Sequence, residues 1–148
     1  MANNAVIPCE GVIHIDVFDI QVPLFISDFD RVEAGKAMGV EVTPTTQPIN
    51  GAVGRDIATD GSWFYSMVIN PEATPATWAH EASHLADFVM DALRMPMGLK
   101  NTEVRAYMVG CVFEQIAYFM PKIHKRARKA AKHAAKAGTK TKPEARLN

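Results

Sequence analysis

The sequence predicts an α+β domain, a small and mostly antiparallel sheet packed on two long helices. Three observations carry this. Residues 11–26 and 63–69 are runs of Val, Ile and aromatic residues that fit a pleated, half-buried surface. Residues 75–95 and 102–120 carry helical spacing of apolar side chains, each preceded by a capping residue and followed by proline. Between these runs lie clusters of Pro, Gly, Asn and Thr that punctuate the chain.

The elements follow in order. In 11–26, Ile13, Ile15 and Val17 alternate with His14, Asp16 and Phe18, which reads as a strand or a bent hairpin, with Pro23 marking an edge or a break. Residues 28–38 read as a short helix capped by Ser27 or Asp28 and stopped by Gly39. A short strand is expected at 40–43 and loop over 44–62. Residues 63–69, WFYSMVI, read as a strand. Thr74-Pro75 then places an N-cap before a first-turn proline, opening a helix of about five turns that Pro96 and Gly98 end. Asn101 or Thr102 caps the second long helix, TEVRAYMVGCVFEQIAYFM. Its apolar residues run nearly all the way round, predicting burial, and Pro121 is expected to end it.

Size and composition bound the class. A chain of 148 residues with 48% hydrophobic and 22% charged residues is near the modal size of one domain and buries roughly 70% of its unfolded surface without a staple. No repeat indicates a solenoid. The longest apolar stretch, around Tyr107 to Phe113, is far short of the roughly 20 residues a membrane span needs. The N-terminus lacks the pattern of a secretory signal. Cys9 and Cys111 sit in no CxxC and read as reduced thiols, so the expected compartment is the cytoplasm.

The formal net charge is zero, yet it hides an asymmetry. Residues 122–148 hold ten Lys/Arg and one acid, Glu144, for +9, whereas residues 1–121 hold six Lys/Arg and fifteen Asp/Glu, for −9. The chain therefore divides into a body, 1–121, and a basic tail, 122–148. The tail should be helical to about Ala137 and disordered from Gly138. Two readings of it stand: an electrostatic arm for nucleic acid or another polyanion, or a solvated segment that aids solubility or folds back on the acidic body. It carries no interleaved aromatics of the kind a single-strand binder uses.

The feature that carries chemistry is His80-Glu81-Ala82-Ser83-His84, an HExxH inside the 75–95 helix. With five His and eight Glu in the chain, shuffling produces this pattern in roughly 1% of sequences. Positions i and i+4 project both imidazoles from one helix face, close enough to share one Zn²⁺. Glu81 is rotated about 100° from His80, beside the metal, where it can act as general base toward a water. A catalytic zinc takes three protein ligands and an open position. Asp87, Glu103, Asp91 and His14 are the candidates for the third, with Glu103 favoured because the turn RMPMGLKN lets the next helix run back antiparallel. Asp87 then serves a ligand histidine or pairs with Arg105. Ala106 and Gly110 fit close approach of the two helices, and Trp63, Phe64, Tyr65, Trp78, Cys111 and Met95–Met97 fit packing.

HExxH on one helix, with NTEVRAY opening the next, is similar to the gluzincin metallopeptidases. The block HEASHLADFVMDAL to NTEVRAYMVG also resembles small metallopeptidases encoded by bacteriophages and prophages. The resemblance covers roughly residues 60–120. It implies a minimal zincin-like fold, a zinc cofactor held by His80, His84 and Glu103, and hydrolysis of peptide bonds in a peptide or protein substrate with Glu81 as general base. It also implies an edge strand ahead of the HExxH helix that holds an extended peptide, here 63–69. The chain departs from the larger family members in lacking a second domain to wall the cleft and a separate C-terminal His for the oxyanion. Tyr107, Arg105 and His14 are the residues available for that role. The rival functions are a catalytically silent zinc-stabilised protein-binding module and a nucleic-acid-associated protein acting through its tail.

Overall fold

A computed structural model describes residues 9–45 and 49–138, the side chains of 136–138 excepted. Four strands form one mixed sheet: β1 (Gly11–Ile15), β2 (Ile20–Phe25), β3 (Gly51–Ile57) and β4 (Trp63–Ile69), in spatial order β1-β2-β4-β3. The helices are α1 (Asp28–Ala37), α2 (Pro75–Ala92) and α3 (Thr102–Gly138). The expected α+β class, with a mostly antiparallel sheet on long helices, is the observed one. Two of the three strand pairings are antiparallel, and β2 with β4 is parallel.

Residues 11–26 form the bent hairpin. A 3₁₀ turn over Asp16–Phe18 reverses the chain, with Asp19 in the left-handed region at φ 51°. Pro23 leaves β2 without one backbone donor, and β2 pairs with β4 only at Leu24↔Met67 and Phe25↔Val68. Ser27 caps α1, its hydroxyl accepting from the Asp30 amide at 3.1 Å.

The 2.0-residue side-chain period of the strands splits the core into two faces. Ile13, Ile15, Val22, Leu24, Met67 and Ile69 point to one side, where α2 and α3 cover them with Leu85, Val89, Met108, Val112 and Ile116. Phe25 and Val68 point to the other, under Ala34 of α1. Arg31 of α1 is buried and tied down: Nε donates to Asp28 Oδ1 at 2.8 Å and Nη2 to the Thr43 carbonyl at 2.7 Å. The Thr45 amide donates to the second Asp28 oxygen at 2.7 Å, so one carboxylate anchors the 43–45 segment to α1.

The outer edge of β1 is closed by a side chain. Gln115 of α3 mimics a neighbouring strand at His14, donating Nε2 to the carbonyl at 2.7 Å while Oε1 accepts from the amide at 2.8 Å.

Four expectations are corrected. Residues 51–57, read as loop, form β3, paired along all seven residues with β4. Its sequence GAVGRDI has weak strand propensity, and the hairpin ladder with β4 supplies what local preference lacks. Residues 40–43 make only an isolated bridge, Val40↔Ala58. Pro121 does not end the second long helix, which runs on to Gly138. Proline costs one hydrogen bond and some bending, yet Met120 and Ile123 are buried on either side of it and hold the backbone in register. Finally, α3 is not buried all round: Met108, Val112, Ile116, Met120 and Ile123 form one buried stripe, while Tyr107 and Tyr118 are exposed. The expected disorder from Gly138 onward concerns residues 139–148, outside those described, Gly138 itself being helical.

Two predictions follow from these contacts. Gln115→Leu removes both hydrogen bonds to the exposed His14 backbone and, with water able to take their place, should cost about 0.5–1.5 kcal/mol in urea unfolding. The Asp28 carboxyl is raised by burial, but the Thr45 amide and Arg31 outweigh this and hold it below the ordinary range. A lowered folded value means that stability is present above the unfolded carboxylate pKa and lost as pH falls through the folded value. Asp28→Asn should therefore lower stability at pH 7 by about 1–3 kcal/mol and flatten the loss of stability on acidification, read from urea midpoints across pH 2–7.

Candidate metal centre

Helix α2 places the HExxH by its amphipathy. Ala82, Leu85, Ala86 and Val89 are fully buried and fix the helix rotation against the sheet. One consequence is that His80 and His84 point outward and are exposed. Their Nε2 atoms lie 3.0 Å apart, with the rings edge to face at 4.5 Å between centroids. Neither imidazole has another polar partner among the described residues. At that distance the two ring nitrogens are within hydrogen-bond reach of each other on the outer face of α2.

Glu81 points elsewhere. It is 6% exposed, sits against the start of β3, and accepts no hydrogen bond among the described residues. Burial pushes its carboxyl above the ordinary range, and the charges of His80 and His84 pull it partly back. Gly51 makes this position available: a Cβ there would stand 2.7 Å from Glu81 Cγ and 3.1 Å from Oε1. Gly51 was not legible as a site residue, because nothing in GAVGRDI marks it as lying against the HExxH helix.

The edge strand beside the motif is also a correction. Strand 63–69, expected at the edge, is the interior strand β4, flanked by β2 and β3. The edge next to α2 is β3. Of the β4 aromatics, Phe64 and Tyr65 are buried, and Trp63 is half exposed with Arg55 of β3 stacked 4.6 Å above its ring.

The remaining candidates separate clearly. Helices α2 and α3 run antiparallel, as shown by Arg105 Nε on Asp87 Oδ1 at 2.6 Å and Trp78 beside Phe113 at 6.0 Å. Asp87 is thus Arg105's partner, and Asp91 pairs with Arg55 at 2.6 Å. This register sets His84 level with Tyr107 and Met108. Tyr107 is half exposed at that level. Glu103 is exposed and unpaired among the described residues, about 7 Å further along the axis at 1.5 Å per residue. The structure does not gather Glu103 with the two histidines: among the described residues no group of three or more His, Cys, Asp or Glu side chains is placed to hold a metal. His14 lies on β1, at the opposite edge of the sheet from β3. Gly110 is exposed with open space around it, so it does not serve close helix approach. Cys9 and Cys111 are free thiols. No helix among the described residues is long and apolar enough to cross a membrane.

None of the protein families, curated proteins or solved structures compared with the chain matches it.

The contact between Gly51 and Glu81 is testable by a double-mutant cycle. Gly51→Ala should cost about 1–3 kcal/mol through overpacking. In a Glu81→Ala background the same change should cost much less, because the obstructing side chain is gone. Equal costs in both backgrounds would show that Glu81 does not occupy this space.

Proposed function

We propose that the protein is a small zinc-dependent metallopeptidase, acting on a peptide or protein chain. The observation that carries this reading is the convergence of His80 and His84 Nε2 at 3.0 Å, with the Glu81 carboxyl on the adjacent α2 face beside the edge strand β3.

The donor set fits zinc at two positions. Both are imidazole nitrogens, a donor type suited to the ion, and their exposure leaves room for further ligands. Glu103 would supply the third position by turning its free carboxylate toward the pair from the first turn of α3. Bound zinc supplies Lewis acidity and lowers the pKa of a coordinated water toward neutrality. The chain's own residues do the rest. Glu81, raised above the ordinary carboxylate range by burial, takes a proton from the attacking water and delivers it to the leaving nitrogen. The outer edge of β3, on which no further strand pairs among the described residues, would offer main-chain donors and acceptors along which an extended peptide aligns. Tyr107, half exposed and level with His84 along the helix axis, would donate to the developing oxyanion.

A second reading, a zinc-stabilised binding module without turnover, draws on the separation of Glu103 from the histidine pair. One set of variants distinguishes the two. Purified protein should carry about one zinc per chain by elemental mass spectrometry, with His80→Ala or His84→Ala abolishing it and Glu103→Ala weakening it. Glu81→Gln should keep the metal and lose about 10²–10⁴-fold in cleavage of an unstructured peptide library. A loaded protein with no cleavage in either form would support the binding module, and absence of zinc after supplementation would refute both.

A further inference from the structure

Past Ile123, the last side chain of its buried stripe, α3 serves neither the core nor the HExxH helix. From Lys122 to Gly138 it holds seven Lys/Arg and no acid. Its base is fastened to the body: His124 Nε2 lies 2.7 Å from the Pro71 carbonyl, and Arg126 pairs with Glu10. Beyond Ala127, every side chain described, to Ala135, is exposed. The helix therefore leaves the acidic body and projects for about 15 Å from Arg128 to Gly138.

Its charges are arranged on one side. Lys125, Arg128, Lys129 and Lys132 recur at the i, i+3, i+4, i+7 spacing of a single helix face. They line one shallow groove with Pro121 and His124. None of the four cations makes an ion pair among the described residues. The opposite face continues the buried stripe of α3 past Ile123 as Ala127, Ala130, Ala131 and Ala134, which keeps the projecting helix slim.

The geometry points to a rail for double-stranded nucleic acid, with duplex DNA as the occupant and the four cations on its phosphates. The page supplies three reasons. Sign and density of charge match a polyanion. A helix about 10–12 Å across fits a major groove about 12 Å wide. No aromatic residue lies between 122 and 138, so single strands lack a stacking platform. Between 122 and 138 there is no Asn, Gln, Asp or Glu to read adenine or cytosine edges, and with the four cations on phosphates the binding carries little sequence preference. Projection from the body solves an electrostatic conflict, since residues 1–121 carry −9 and would repel phosphates drawn closer.

The test uses the full chain, a 20-base-pair duplex, the matching single strand, and fluorescence anisotropy between 50 and 300 mM salt. The duplex should bind more tightly than the single strand. The slope of log K against log salt should be about −3 to −4, as four phosphate contacts require. The combined variant K125Q/R128Q/K129Q/K132Q, all at exposed positions, should lose at least about a hundredfold at 50 mM salt with an unchanged circular dichroism spectrum. Ala131→Pro keeps every charge but interrupts the helix, and should weaken the duplex several-fold. Absence of duplex binding, duplex binding that survives the combined variant, preference for the single strand, or indifference to Ala131→Pro would each overturn the rail. So would salt-sensitive self-association that the combined variant abolishes while DNA fails to compete, because the arm would then dock on the acidic body of a second copy.

Discussion

The five buried side chains of α3, Met108, Val112, Ile116, Met120 and Ile123, stand four, four, four and three residues apart and lie with 0–1% exposure against the sheet. Each such burial is worth about 1.5–3 kcal/mol, so the stripe sets the rotation of the longest element in the molecule. Other placements on α3 follow. Gln115 is turned to the edge of β1, Arg105 to Asp87 on α2, and Glu103 and Tyr107 to solvent. The same stripe carries the helix through Pro121, because the residues before and after the proline are both anchored.

On α2 a single turn separates two environments. His80 and His84 lie on the outward face, and Glu81, rotated by one residue, is folded under the first residue of β3. Under the proposed function, Glu81 gains from such a place, because burial moves a carboxyl toward neutrality, whereas the imidazoles would need access and room for further ligands. The glycine at the start of β3 keeps the carboxyl from being squeezed out. The packing of α2 on β3 therefore matters as much to the proposed centre as the HExxH itself.

The charge asymmetry has a physical counterpart in the shape of α3. A basic segment attached by a loose linker to a body of opposite sign would collapse on it. Here, continuity with a core helix holds the cations outward, and the ion pair between Arg126 and Glu10 fastens the base rather than the tip. The proposed rail and the proposed peptidase centre thus share one element, α3, that brings Tyr107 level with His84 and projects the arm at its far end.

Most of the fold was legible because it is written in local chemistry. The hairpin over 11–26, the Ser27 cap, the Thr74-Pro75 start of α2 and the HExxH on its outer face rest on side-chain period, capping and turn residues, all properties of neighbours in the chain. Three features were not. Strand β3 has weak propensity and exists because β4 pairs with it, which also moves β4 from the edge to the interior. Pro121 is a local stop signal overridden by burial on both sides. Gly51 against Glu81 is a contact between residues thirty apart, invisible to any local pattern. The sequence by itself determined which residues could carry chemistry and that a small sheet would rest on long helices. Tertiary structure decided which strand borders the motif, where α3 ends and how far Glu103 stands from the histidines, because those depend on the burial and pairing of distant segments.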